Sequence, residues 1–229
     1  MNTAILIPAR LSSRRLPNKP TVKLGGVPLV RRVAEACERT GYPVYVLTDD
    51  VRVAKLVKGF ETVVDYSVYY SNGTERCASA AYIEELSQYD YFINVQGDMP
   101  DVTTNMIDML VHGLHNDDAE VATLYTKMTE SEQKNRNNVK MVHNGSVAHW
   151  FARDINYGVR HLGVYGYTKE ALKDYHSWET SLYEEIESLE QLRWIENEVP
   201  ISVYETQFDG VEINTVADVH AWNLRNKLV

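Results

Sequence analysis

Four cations crowd one short segment: Arg10, Arg14, Arg15 and Lys19, interleaved with Ser12 and Ser13. Arginine grips phosphate oxygens in a planar fork and lysine adds a mobile point charge, so such a segment suits a triphosphate. The same composition also fits a solvated loop whose charges only keep it in water. No Gly-x-x-x-x-Gly-Lys-Ser/Thr stretch is present, so any phosphate chemistry here is not that of a P-loop. A carboxylate, Asp98, follows the apolar run Tyr91–Val95 and a turn-forming Gly97. Mg²⁺ typically combines one or two carboxylates with phosphate oxygens, which makes Asp98 a candidate metal ligand. A turn or helix-capping aspartate is the alternative.

These groups need rigid elements behind them. Thr3 to Ile7 reads as a buried strand, and residues 10–27, rich in Arg, Pro and Gly, as a long loop. Strand patterns follow at Val44 to Leu47, Glu61 to Val64 and Tyr91 to Val95. Helical patterns follow Pro28 and Asp49-Asp50, and run from Thr74 to Leu86 and from Thr104 to Leu114. This alternation predicts an α/β fold with a mostly parallel central sheet flanked by helices. Ligands of such sheets bind beyond the carboxyl ends of the strands. The loops after Ile7 and Val95, which carry the cations and Asp98, are therefore the expected site.

The second half changes character. Val121 to Thr126 reads as a strand, and Val139 to His143 and Val147 to Phe151 flank Asn144-Gly145 as a hairpin. His161 to Tyr167 is a further strand. Leu182 to Ile195 reads as one amphipathic segment, with Ile186, Leu189, Leu192 and Ile195 at three- or four-residue steps. Thr215 to Leu224 is a closing helix. No repeat, low-complexity tract or linker interrupts the chain, so a single domain over residues 1–229 is expected.

Composition narrows the class. Lys plus Arg number 23 and Asp plus Glu 32, a formal net charge of −9. Non-specific nucleic-acid affinity rests on neutralising phosphates, so this acidic chain is not expected to bind nucleic acid. No stretch approaches the roughly 20 apolar residues that span a bilayer. The apolar run Ala4 to Ile7 is too short for a signal peptide. Cys37 and Cys77 lack metal or redox spacing and read as small apolar residues in a reduced compartment. A soluble, cytoplasmic protein is the expectation.

The motifs themselves carry a resemblance. Ile7-Pro8-Ala9-Arg10-Leu11-Ser12-Ser13-Arg14-Arg15-Leu16-Pro17-Asn18-Lys19-Pro20 resembles the signature loop of the 3-deoxy-manno-octulosonate (Kdo) cytidylyltransferases. Thr48-Asp49-Asp50, Ser71-Asn72-Gly73-Thr74-Glu75-Arg76, Asn94-Val95-Gln96-Gly97-Asp98, Asn138-Val139-Lys140, the segment Arg160 to Tyr167 and Leu189-Glu190-Gln191-Leu192-Arg193 resemble further motifs of that family, in its order.

The resemblance implies a Rossmann-like nucleotide-diphospho-sugar transferase fold and a reaction in which the sugar's anomeric hydroxyl attacks the α-phosphorus of CTP. It implies that Arg10, Arg15 and Lys19 hold the triphosphate, with Arg10, Lys19 and Asp98 at the reacting centre. Pro8 and Ala9 would line the cytosine pocket near Gln96, and Gly73, Thr74 and Arg76 would help to bind the nucleotide. Read locally, Thr74 is instead a helix cap and Gly73 a turn former. His161, Tyr165, Glu190 and Gln191 match positions around the acidic sugar, and Arg153, in a segment that does not align cleanly, would pair with its carboxylate; Tyr165 also reads as ordinary core, and Glu190 and Gln191 as a solvated helix face. A homodimer built partly by residues 139–167, and a product that feeds a surface glycan such as lipopolysaccharide, are also implied.

Three departures stand out. The family has Glu after its Gln-Gly-Asp, whereas Met99 stands here. Its second metal ligand, an Asp in a Val-Asp-Thr context, falls on Asn214, which can offer Mg²⁺ an amide oxygen but no charge; Glu212 lies two residues away. The connection Asp154 to Val159 is shorter than the family's. These leave open a related acidic sugar, sialic-acid-like or a modified Kdo, or a catalytically weakened nucleotide-binding homologue.

Overall fold

The computed structural model describes residues 2–13, 15–64 and 70–228; Arg14 lies outside them. Eleven strands are found among the described residues: β1 (Thr3–Pro8), β2 (Lys23–Leu24), β3 (Val27–Pro28), β4 (Val44–Thr48), β5 (Glu61–Val64), β6 (Tyr91–Val95), β7 (Val121–Thr126), β8 (Lys140–His143), β9 (Ala148–Ala152), β10 (Val159–Thr168) and β11 (Ile201–Glu205). The helices are α1 (Leu29–Glu38), α2 (Val51–Leu56), α3 (Gly73–Ser79), α4 (Thr104–Asn116), α5 (Glu130–Gln133), α6 (Lys169–Ser177), α7 (Leu182–Glu187), α8 (Leu192–Glu196) and α9 (Val216–Arg225).

The main sheet runs β11-β7-β10-β6-β1-β4-β5. β1 pairs parallel with β4 and β6, β4 with β5, and β7 with β11. The expected mostly parallel sheet is present, with one exception: β10 runs antiparallel to both β6 and β7. The Asn144-Gly145 hairpin forms as β8–β9 and attaches through β8 to β10. Its loop is tied by the Asn144 side chain, which accepts from the backbone N–H groups of Ser146 and Val147.

Every residue of β1 and of β7 is buried, as strands covered on both faces require. Alternation along β1 sends Ile5 and Ile7 into a core with Val33 and Ile107, and Ala4 and Leu6 into a second core with Phe92, Tyr167 and Trp194. Each fully buried Leu, Ile or Phe contributes about 1.5–3 kcal/mol, so these two layers hold the sheet.

Two expected helices break. The Thr74–Leu86 pattern stays α-helical only through α3, then tightens into 3₁₀ turns at Ala80–Tyr82 and Glu84–Leu86. Ser79 Oγ donates to the Arg76 carbonyl, a side-chain bond that competes with the helical ladder, and Ile83 is extended. The Leu182–Ile195 segment divides into α7 and α8 at Ser188, whose φ is +54°. Leu189 and Leu192 are buried, but Ile186 is 65% exposed, so the apolar periodicity does not correspond to one face. The loop 10–27 also acquires order: a 3₁₀ turn at Lys19–Thr21 and the small β2–β3 ribbon, which turns through Gly25 and Gly26, both at positive φ.

Candidate active site

The chain enters the site at the carboxyl ends of the adjacent strands β1 and β6. Gly97 lies so close to the β1 exit that a Cβ would sit 3.0 Å from the Pro8 carbonyl oxygen, so a larger residue would have to push the two loops slightly apart. Around this junction opens a cleft of about 1220 Å³. Pro8, Ala9, Arg10, Arg15, Lys19, Gly73, Arg76, Gln96, Asp98, Arg153, His161, Tyr165, Glu190, Gln191 and Asn214 all line it. Residues separated by most of the chain thus converge on one cavity.

At its phosphate-loop end, Lys19 Nζ stands 2.7 Å from Asp98 Oδ2 and 3.1 Å from Asn214 Oδ1. Arg15 donates to the same amide oxygen at 2.9 Å. The backbone locks this arrangement, because Ile213 N–H donates to the Asp98 carbonyl. Asp98 and Asn214 therefore already share one cation, the Lys19 ammonium. Among the described residues no three His, Cys, Asp or Glu side chains gather as a metal cluster. One carboxylate and one amide oxygen fit a hard cation that takes the rest of its shell from phosphate oxygens. Met99 is fully buried in the core with Val102 and Ile213, so apolar packing stands where the family has a carboxylate.

Arg10 Nη1 bridges to the carbonyls of Tyr70 and Ser71, joining the cationic loop to the start of α3. Arg76 is buried and pairs with Asp49 at 2.9 Å. The cap of α3 is Asn72, not Thr74: its side chain accepts from Glu75 N–H. Thr74 does not line the cleft; its hydroxyl hydrogen-bonds the Tyr167 phenol and its N–H donates to Glu190 Oε2. The turn itself does not require Gly73, but a Cβ there would meet the Gln96 amide at 2.7 Å and displace that side chain.

The break between α7 and α8 builds the opposite wall. It delivers Glu190 to the Thr74 N–H at 3.1 Å and to Gln96 Nε2 at 3.2 Å. Burial pushes the Glu190 carboxyl above its usual range, opposed by the Thr74 and Gly73 N–H groups. Gln191 lines the cleft but is almost wholly buried, and its Nε2 is unpartnered among the described residues. Arg193, almost wholly buried, forks onto Glu184 at 2.6 and 2.8 Å and reaches Glu75 at 2.7 Å, tying α8 to α7 and α3.

His161 and Tyr165 rise from β10. Burial lowers the His161 imidazolium to about 3, reinforced by the charge of Arg153, so the ring is neutral. Thr123 Oγ1 lies 2.9 Å from the Val164 carbonyl, to which it donates, and 3.0 Å from His161 Nε2. The single hydroxyl proton is thereby used, which makes Nε2–H the donor and leaves Nδ1 an acceptor. Tyr165 is 2% exposed and stacks on Tyr167, so it is core and cleft wall together. Arg153 Nη1 donates to the Asn137 carbonyl at 3.3 Å.

Sequence reading had given no role to Arg160, which pairs with Glu212 at 3.0 Å in the same cleft. Its place beside His161 on a strand was the available signal. Arg136 and Asn137 also reach the cleft from the loop before β8, and nothing in their spacing indicates it.

A cytidylyltransferase family model matches residues 4–203. The 3-deoxy-manno-octulosonate cytidylyltransferase of Hahella chejuensis is 36% identical over 222 residues, covering 87% of each chain. The 8-amino-3,8-dideoxy-manno-octulosonate cytidylyltransferase of Shewanella loihica is 33% identical over 241 residues, covering 98% of each. Among solved structures, a CMP:2-keto-3-deoxy-manno-octonic acid synthetase complexed with CTP superposes with a TM-score of 0.88 at 30% identity over the whole of both chains. With sequence motifs, sheet order and cleft all in agreement, this chain belongs to the family of the 3-deoxy-manno-octulosonate cytidylyltransferases.

Proposed function

We propose that the protein transfers CMP from CTP to 3-deoxy-manno-octulosonate. The anomeric hydroxyl forms a bond to the α-phosphorus, the bond from that phosphorus to the β-phosphate oxygen breaks, and pyrophosphate leaves. Such transfers depend on positioning and charge neutralisation rather than on covalent catalysis. The observation that carries this reading is the Lys19 ammonium held between Asp98 and Asn214, beside Arg15, in a cleft of about 1220 Å³.

Arg10, Arg15 and Lys19 bind the triphosphate; Pro8, Ala9, Gly73, Arg76 and Gln96 hold the nucleoside, with Thr74 acting through Glu190. Asp98 and Asn214 hold Mg²⁺, which supplies neutralisation of the phosphate charge when bound. Arg153, His161, Tyr165, Glu190 and Gln191 receive the sugar. His161 Nδ1 accepts a hydrogen bond from a sugar hydroxyl. A homodimer through the 139–167 region belongs to the same reading.

A second reading, an amino-modified Kdo, has one observation in its favour. Glu185 lines the cleft with no ion-pair partner among the described residues, and a carboxylate attracts an ammonium. Pyrophosphate release from CTP and Mg²⁺ separates the readings when Kdo and its 8-amino form are supplied in turn. Kdo-dependent release that falls about 100-fold or more in Asp98→Ala is the expected result. Release only with the amino sugar selects the second reading. No release with either, while CTP still binds, refutes both and favours a weakened nucleotide-binding homologue.

A further inference from the structure

The position at which the resemblance implies a charged second metal ligand is held here by a residue without charge. Asn214 carries an uncharged amide oxygen, while Glu212, two residues earlier, brings a carboxylate into the same cavity. The residue between them fixes their orientation. Ile213 is fully buried in the core, and its N–H is held by the Asp98 carbonyl at 2.9 Å. Glu212 and Asn214 thus flank a pinned residue and both face the cleft. Asp101 reinforces the pin by accepting from Val211 N–H at 2.9 Å and from Trp222 Nε1 at 2.8 Å.

Glu212 lines the same cleft as Asp98 and Lys19. Its Oε1 accepts from Arg160 Nη2 at 3.0 Å, and among the described residues no hydrogen bond reaches Oε2. Arg160 is itself shared, lying 3.8 Å from Glu132 Oε1. The pair therefore resembles a carboxylate held in place by an arginine, with its second oxygen left for another cation.

We propose that Glu212 supplies the second negative charge for the divalent cation of the phosphate site, replacing the charge that Asn214 lacks, with Arg160 as its positioning residue. This rests on the cytidylyltransferase reading of the site. Asp98 and Glu212 provide the anionic charge and Asn214 a neutral oxygen; the triphosphate completes the shell, as expected for a cation that binds through few protein groups.

The test is Mn²⁺ binding, read by electron paramagnetic resonance of the free ion, with CTP bound and no sugar present, so that turnover plays no part. Wild type, Asp98→Asn, Glu212→Gln and Glu212→Gln/Asn214→Asp are compared, with thermal unfolding as the folding control. Glu212→Gln is expected to weaken Mn²⁺ about 10-fold, and adding Asn214→Asp to recover most of that loss. Unchanged Mn²⁺ affinity in Glu212→Gln, with affinity lost in Asp98→Asn, overturns the role of Glu212 alone and leaves a structural ion pair with Arg160. Unchanged affinity in both variants overturns the metal site itself. A Glu212→Gln defect that Asn214→Asp fails to relieve also refutes the proposal, because the lost property is then not the site's charge.

Discussion

Replacing His161 by glutamine tests whether the sugar-side wall is built around a neutral imidazole. An unfolded histidine titrates near 6.5, whereas burial lowers the folded group to about 3. Between those values the unfolded chain binds a proton that the folded chain refuses, so stability falls as the pH drops through this window. The contribution is fully present above about pH 6.5, and about 2 kcal/mol of it is lost between pH 7 and pH 5. Glutamine can still donate from its side-chain amide to Thr123 Oγ1, so the hydrogen bond seen at 3.0 Å has a substitute but the titration does not. The assay is urea unfolding of both proteins at half-unit steps from pH 5 to pH 8. Other titrating groups, including Glu190 and Glu212 with their raised carboxyl values, are common to both and cancel in the difference. The wild-type advantage is expected to shrink by about 2 kcal/mol on going from pH 7 to pH 5. A difference flat within about 0.5 kcal/mol refutes the argument and means that His161 carries a proton in the fold.

Two further outcomes follow from the geometry. Gly73→Ala should raise KM for CTP about 10-fold with little change in kcat, because its Cβ displaces the Gln96 amide and breaks the 3.2 Å contact with Glu190; steady-state kinetics check it. Arg193→Met should cost about 3–5 kcal/mol in denaturant unfolding by leaving Glu184 buried without its partner, and Arg193→Met/Glu184→Leu should recover most of that loss.

Much of the fold was legible because its signals are local. The limits of β5, β6 and β7 follow from short apolar runs closed by polar or turn-forming residues, and Asn144-Gly145 marked its hairpin within four residues. The break in the Leu182–Ile195 segment is tertiary in origin, whereas Ser79 interrupts the Thr74–Leu86 pattern locally. Ile186, Leu189, Leu192 and Ile195 satisfy a helical period, but the Arg193–Glu184 fork and the Glu190–Thr74 contact are tertiary, and they favour a break at Ser188 over a continuous helix. Likewise Thr74 and Asn72 are both acceptable caps by type, and only the position of Tyr167 across the core assigns the Thr74 hydroxyl elsewhere.

The sequence by itself determined the chemical inventory: a cationic loop after the first strand, a carboxylate after a later strand, and sugar-side motifs in family order. It also showed that Asn214 stands where a charge was expected. Tertiary structure alone decided how these groups meet. Lys19 and Asn214 are 195 residues apart, and no periodicity encodes that contact. It arises because parallel crossovers place the ends of β1 and β6 side by side and α9 anchors the 209–214 segment against them through Trp222 and Asp101. Sequence patterns report which face a residue buries, whereas the geometry of a charged site depends on which distant backbones the packed core brings together.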